Sequence, residues 1–175
     1  FHCYGWTSCV INSLCKGGAI TVLRTKMPTE IVHAIIKYKV TIAFMVPPMY
    51  NLLAHRGNPS DLESVRMFIS GGASLPQPVA QAFKERYHTP ILEGYGLTEA
   101  SPVVAVLLPQ RPKYLSVGPV LPGMESKIVT DTEGPYVPGL VGELWVRGAN
   151  VMKGYWHKPE ETEKVKVKET VNKKE

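Results

Sequence analysis

Two short stretches of this sequence set chemistry-bearing side chains beside glycines. The first is Ser70-Gly71-Gly72-Ala73-Ser74. Two adjacent residues without a Cβ let a ligand approach the backbone closely. The second is Glu93-Gly94-Tyr95-Gly96-Leu97-Thr98-Glu99. Its glycines free the backbone around Tyr95, whose ring can lie against a flat ligand. Thr98 offers a hydroxyl that can donate to a phosphate oxygen. Glu99 offers a hard carboxylate. Mg²⁺ carried by a nucleotide takes only one or two protein carboxylates and fills its shell with water and phosphate oxygens, so one Glu beside a Thr suits it. Taken singly, each stretch is also an ordinary glycine-rich turn leaving a strand, with Glu99 solvated.

The flanking patterns say how the two loops are placed. The apolar run 67–70 reads as a strand ahead of the first loop, and residues 89–93 read as a strand ahead of the second. Between them Ser74-Leu75-Pro76-Gln77 matches a capping box that opens a helix to about Tyr87. Strands separated by one helix are commonly neighbours in a parallel sheet. Both loops then open at its carboxyl end, where such sheets bind ligands, and they form one shared nucleotide pocket.

Upstream, residues 6–14 read as a helix closed by Gly17-Gly18, and residues 19–23 as a short β-branched strand. Pro28-Thr29-Glu30 opens another helix with Thr29 as its N-cap, and the apolar run 41–46 ends at Pro47-Pro48, before a short helix through Ala54. Residues 1–100 are therefore expected to form an α/β layer, a mostly parallel sheet with flanking helices. After Glu99 short strands at 103–107, 125–129 and 142–147 alternate with turn-rich stretches, so residues 101–157 read as a small all-β, barrel-like subdomain. Residues 158–175 are a charged helix and linker, helical from Pro159 to about Lys168.

Gly71-Gly72-Ala73 followed by Gly94-Tyr95-Gly96-Leu97-Thr98-Glu99 resembles the acyl-activating, adenylate-forming enzymes. Three more segments share the resemblance: Phe1-His2 with Tyr4-Gly5, Ser116-Val117-Gly118-Pro119 with Leu121-Pro122-Gly123, and Gly142-Glu143-Leu144 through Arg147-Gly148 to Met152-Lys153-Gly154-Tyr155. They run nearly end to end in family order. The pattern is most similar to fatty acyl-CoA ligases, with 4-coumarate–CoA and other aryl-acid ligases next.

The resemblance implies two-step chemistry with ATP, Mg²⁺ and coenzyme A. A carboxylate attacks the α-phosphate of ATP to give an acyl-adenylate, and a thiol then takes the acyl group. It implies that Gly71, Gly72 and Ala73 flank the adenine and acyl site, with Glu93, Gly94 and Gly96 in the nucleotide loop. It stacks Tyr95 on adenine, sets Thr98 against phosphate, gives Mg²⁺ to Glu99 and puts His2 by the substrate carboxylate and the thiol entry. A histidine at position 2 favours a carboxylic acid over an amino acid. The pocket wall implied (Tyr4, Gly5, Met45, Val46, Gly72, Pro102, Val103) carries no charge to hold a polar tail. The family's lysine-bearing phosphate loop and its ribose-binding aspartate motif have no match here. The nearest string is Thr130-Asp131-Thr132-Glu133-Gly134. The expectation is a fragment, the middle part of a larger adenylate-forming domain and inactive alone. A stand-alone, non-catalytic nucleotide- or acyl-binding module is the competing reading, and a luciferase-like oxygenase on the same fold a remote third.

Composition narrows the alternatives. The 175 residues are 44% hydrophobic and 20% charged, which suits a folded chain with a core rather than a disordered one. The net charge of +5 is spread thinly and forms no basic stripe with interleaved aromatics, so nucleic acid is not an expected partner. No apolar run is long enough to span a bilayer. Cys3, Cys9 and Cys15 form neither a metal pair nor a disulfide framework, so free thiols in the cytoplasm are expected. Oligomeric state is not legible.

Overall fold

The computed structural model describes residues 2–24, 27–130 and 137–166. The chain opens with a wide, π-type helical turn, Gly5–Ile11, in which the Asn12 N–H reaches the Thr7 carbonyl. It runs on into α1 (Asn12–Cys15). The expected glycine stop is there. Gly17 takes φ +71, and the N–H groups of Gly17 and Gly18 return to the carbonyls of Leu14 and Ser13, the paired bonds of a Schellman end. The strand expected at 19–23 does not form. Val22 is 81% exposed there, and a β-branched run with no ladder partner among the described residues has nothing to hold it extended.

Helix α2 (Pro28–Tyr38) begins on Pro28 itself, with extended Met27 as N-cap in place of the expected Thr29. Proline suits the first helical position, where its missing N–H would have had no helical partner. Strand β1 (Ile42–Met45) follows, then α3 (Pro47–Arg56), β2 (Met67–Ser70), α4 (Gln77–Tyr87) and β3 (Ile91–Gly96). The Ser74 capping box also fails to form. Pro76 is extended, at φ −60 and ψ 132, and is the N-cap of α4, so Gln77 opens the helix instead of lying one turn inside it.

Strands β1, β2 and β3 pair in parallel in that order, joined through α3 and α4. The helix-covered face holds the core. Tyr50 and Phe83 are fully buried and Phe68 almost so; the Phe68 and Phe83 rings meet edge-on at 4.9 Å, and Tyr50 meets Phe83 at 5.3 Å. Burying one such ring stabilises the fold by roughly 1.5–3 kcal/mol. On the opposite face Tyr4 packs edge-on against Phe44, and its O–H donates to the Ile69 carbonyl at 3.3 Å. The N-terminal segment is thereby laid across the sheet.

β4 (Val103–Val106), expected among the later β-rich strands, instead runs antiparallel to β3 as the fourth strand of the first sheet. A β-bulge interrupts the pairing between Tyr95 and Gly96. β5 (Glu125–Val129) and β6 (Glu143–Arg147) then pair as a two-stranded antiparallel ribbon, which closes into no barrel among the described residues. The last helix, α5, is Pro159–Val165. Its expected extension to Lys168 and the string Asp131-Thr132-Glu133-Gly134 lie partly or wholly outside the described residues, as does Phe1.

Candidate active site

The loops after β2 and β3 open side by side at the carboxyl end of the parallel strands, where the strand backbones offer their ends to a ligand. They line one open cleft of about 1210 Å³. That exceeds the ~300–1,000 Å³ usual for one drug-sized ligand, so more than one substrate has room. Of the residues singled out from sequence, His2, Tyr4, Gly71, Gly72, Ala73, Glu93, Gly94, Tyr95, Gly96, Thr98, Glu99, Pro102 and Val103 border the cleft. Gly5, Met45 and Val46 do not. Gly5 lies in the π-type helical turn, Met45 is buried in the sheet, and Val46 precedes α3 as its extended N-cap.

The first loop is shaped by what glycine permits. Gly72 has φ +82, a conformation that favours glycine. A Cβ on Gly71 would lie 2.9 Å from the Tyr4 ring, so the ring can pack against this backbone only where the side chain is missing. Ser70 is turned the other way. It is fully buried, and its Oγ has no hydrogen-bond partner. Glu93 ties the two loops together by accepting the Leu75 N–H on Oε1 at 3.2 Å.

Strand β3 runs on to Gly96, so Glu93 to Gly96, expected in the second loop, are its last residues, and Gly96 is where backbones come closest. A Cβ there would stand 1.9 Å from the Pro102 carbonyl oxygen. That carbonyl accepts the Leu97 N–H at 2.7 Å, which closes a tight reversal through the short 3₁₀ turn Thr98–Ala100. The turn presents Thr98 and Glu99 to the cleft. Thr98 Oγ1 lies 3.3 Å from Cys3 Sγ in a shared hydrogen bond. The Tyr4 N–H donates to His2 Nδ1 at 3.2 Å, so the neutral ring carries its proton on Nε2.

Three contacts reach this turn from the segment that follows β6. Asn150 Nδ2 donates to the Ala100 carbonyl at 2.7 Å. The Met152 N–H donates to the Glu99 carbonyl at 2.7 Å. The Tyr155 hydroxyl donates to Glu99 Oε1 at 2.5 Å. The Tyr155 bond, followed by the residue's own backbone N–H, holds the Glu99 carboxyl below the usual carboxylate range, while slight burial opposes them. The same bond pushes the Tyr155 phenol up. Tyr4 is raised mainly by burial and secondly by Cys9. Among the described residues no group of three or more His, Cys, Asp or Glu side chains gathers to hold a metal by itself.

The sequence profile of the AMP-binding enzymes matches residues 1–156. The chain belongs to the AMP-binding enzyme family. Among its curated relatives, the long-chain-fatty-acid–CoA ligase of Bacillus subtilis (strain 168) is 37% identical over 166 residues, covering 93% of this chain and 30% of that protein. The 4-coumarate–CoA ligase of Pinus taeda is 36% identical over 171 residues, covering 93% and 32%. The crystal structure of ATP-bound MatB from Rhodopseudomonas palustris superposes with a TM-score of 0.83 at 28% identity, over 93% of this chain and 33% of MatB. The chain thus spans about a third of the length of the relatives it matches. Its α/β architecture is that of adenylate-forming enzymes.

Within this AMP-binding chain the sequence reading passed over Tyr155, Asn150 and Cys3 as site neighbours. Tyr155 stood inside a recognised motif, yet neither period nor composition says that a residue 56 positions away touches Glu99. Asn150 lies within the span of that motif, between Gly148 and Met152, at a position with no signal of its own. Cys3 drew notice only for disulfide and metal spacing.

Proposed function

We propose that the protein carrying this chain is an AMP-forming acid–CoA ligase acting on a carboxylic acid, with a fatty acid as the preferred class. The observation that supports it best is the convergence of both glycine loops, Tyr95, Thr98, Glu99 and His2 on one cleft. In the first step a carboxylate oxygen bonds to the α-phosphorus of ATP, the α–β phosphoanhydride breaks, and pyrophosphate leaves with that electron pair. In the second, the sulfur of coenzyme A bonds to the acyl carbon, AMP leaves, and the thiol proton passes to solvent.

The chain's own part is placement and charge complementarity. Gly71 and Gly72 admit a ligand against the backbone. Tyr95 offers its ring to the adenine, and Thr98 its hydroxyl to a phosphate oxygen. His2, with its proton on Nε2, can donate to an acid or phosphate oxygen. The fit to Mg²⁺ is good: Glu99 is an ionised oxygen donor bordering the cleft, and a metal that travels with nucleotide needs only one such carboxylate. When bound, the ion would offset phosphate charge. The free thiols of Cys3, Cys9 and Cys15 suit a reducing, cytoplasmic setting, and among the described residues no helix is long and apolar enough to cross a membrane.

The finer choice of a fatty over an aryl acid rests on the resemblance of residues 93–99 and 152–155 to fatty acyl-CoA ligases, while the uncharged Pro102 and Val103 that border the cleft suit either class. A panel of fatty and cinnamic acids, scored by ATP–pyrophosphate exchange and acyl-CoA formation with the full-length protein, tests both levels. Exchange with fatty acids is expected. Exchange with aryl acids alone overturns the substrate class, and exchange with none overturns the ligase.

A further inference from the structure

The contacts on the Glu99 turn share an origin. Asn150, Met152 and Tyr155 all lie in the segment that follows β6, and all three act on residues 99–100. The first two hold backbone carbonyls and so fix where the turn sits. Tyr155 alone reaches the carboxylate, and it takes Oε1. A half-buried glutamate such as Glu99 still has several rotamers open to it, and a hydroxyl bonded to one oxygen selects among them.

The tyrosine is itself held. Its N–H donates to Thr162 Oγ1 at 2.9 Å, and the Thr162 hydroxyl donates to the Lys158 carbonyl at 2.8 Å inside the first turns of α5. Gly154 makes the approach possible. It has φ +155, and a Cβ on it would come within 2.8 Å of Thr162 Cγ2. The Tyr155 backbone is thus anchored from α5 while its hydroxyl holds the Glu99 carboxylate, which borders the cleft.

We propose that Tyr155 is a positioning residue: it orients Glu99 for a nucleotide-borne Mg²⁺ and ties that carboxylate to α5 through Thr162. The inference rests on the reading of Glu99 as the metal carboxylate. Tyr155 does not border the cleft. Its effect is confined to the metal-dependent share of nucleotide affinity, which a merely structural tyrosine would not single out.

Calorimetric titration of ATP into the full-length protein, once with Mg²⁺ and once with EDTA, separates the two shares. Tyr155→Phe keeps the ring and removes the hydroxyl. It is expected to weaken binding of Mg·ATP roughly five- to tenfold, the net scale of one ordinary hydrogen bond, and to change binding in EDTA less than about twofold. Glu99→Gln should erase most of the Mg²⁺ advantage. The double variant should match Glu99→Gln alone, since the hydroxyl then has no carboxylate to place. In the metal-free, nucleotide-free protein, Tyr155→Phe should also speed amide exchange at Ala100 and Met152 but not in α4. If Glu99→Gln loses the Mg²⁺ advantage while Tyr155→Phe keeps it, the positioning role is overturned and the metal reading stands. If Glu99→Gln keeps it, the metal reading fails and this inference falls with it.

Discussion

Replacing Gly96 by alanine is expected to damage stability and nucleotide binding together. The new Cβ would stand 1.9 Å from the Pro102 carbonyl oxygen, 2.8 Å from its carbon and 3.1 Å from Val103 Cα. All three are backbone atoms, so no side chain can swing aside. Contacts under 3.0 Å essentially never occur, so β3 and β4 must part by about 1 Å or more at this point. The Leu97 N–H to Pro102 bond, now 2.7 Å, is stretched past bonding range. Forced overpacking costs about 1–3 kcal/mol and the lost bond about 1 kcal/mol, so about 2–4 kcal/mol is expected in all. That is a large part of a typical total of about 5–15 kcal/mol. Thr98 and Glu99 follow directly in the chain and move with the parted backbone. Urea unfolding of the full-length protein and titration of Mg·ATP measure the two effects. Gly5→Ala is the control, because a Cβ there meets nothing within 4 Å, and its stability should be unchanged or slightly raised. A Gly96→Ala protein within about 0.5 kcal/mol of the parent, with unaltered affinity, would refute the close-approach argument.

Ser70→Ala removes a fully buried hydroxyl that has no partner, so urea stability should hold or rise by about 1 kcal/mol, with nucleotide affinity unchanged because Ser70 does not border the cleft. A marked loss of affinity would give Ser70 a ligand role. The Tyr50 phenol is pushed well up by burial first and by Tyr4 second. A raised folded value means that the folded state keeps a proton the unfolded state gives up. The contribution is whole below the ordinary tyrosine value of about 10 and is lost as pH rises from there toward the folded value. Urea midpoints should therefore fall above about pH 10, and less steeply in Tyr50→Phe, which costs about 0.5–1.5 kcal/mol at neutral pH through its lost bond to Ile69. Parallel curves for the two proteins would count against this origin.

Strand β2 was legible to the residue, since a short apolar run before two glycines has few alternatives. So was the glycine end of α1. The helix starts were misplaced where a polar residue near proline looked like a cap. Thr29 gave way to extended Met27 just ahead of Pro28, and Ser74 to Pro76, because a proline at a helix start sets φ and needs no donor partner. The run 19–23 shows the other weakness of local reading. Strand propensity describes a fit to neighbours, and none pairs with it among the described residues.

The sequence by itself determined the chemical inventory: two glycine loops at strand ends, an aromatic ring, a hydroxyl and a carboxylate, in an order that resembles one family. It determined this because glycine spacing and strand–helix alternation are local properties of the chain. Only the tertiary structure decided that β4 turns back along β3 and draws the Glu99 turn tight against Pro102. It alone brought Cys3 to Thr98 and Tyr155 to Glu99, across 95 and 56 residues of chain. Such contacts follow from how packed layers meet, and no periodicity along the chain encodes the distance between them.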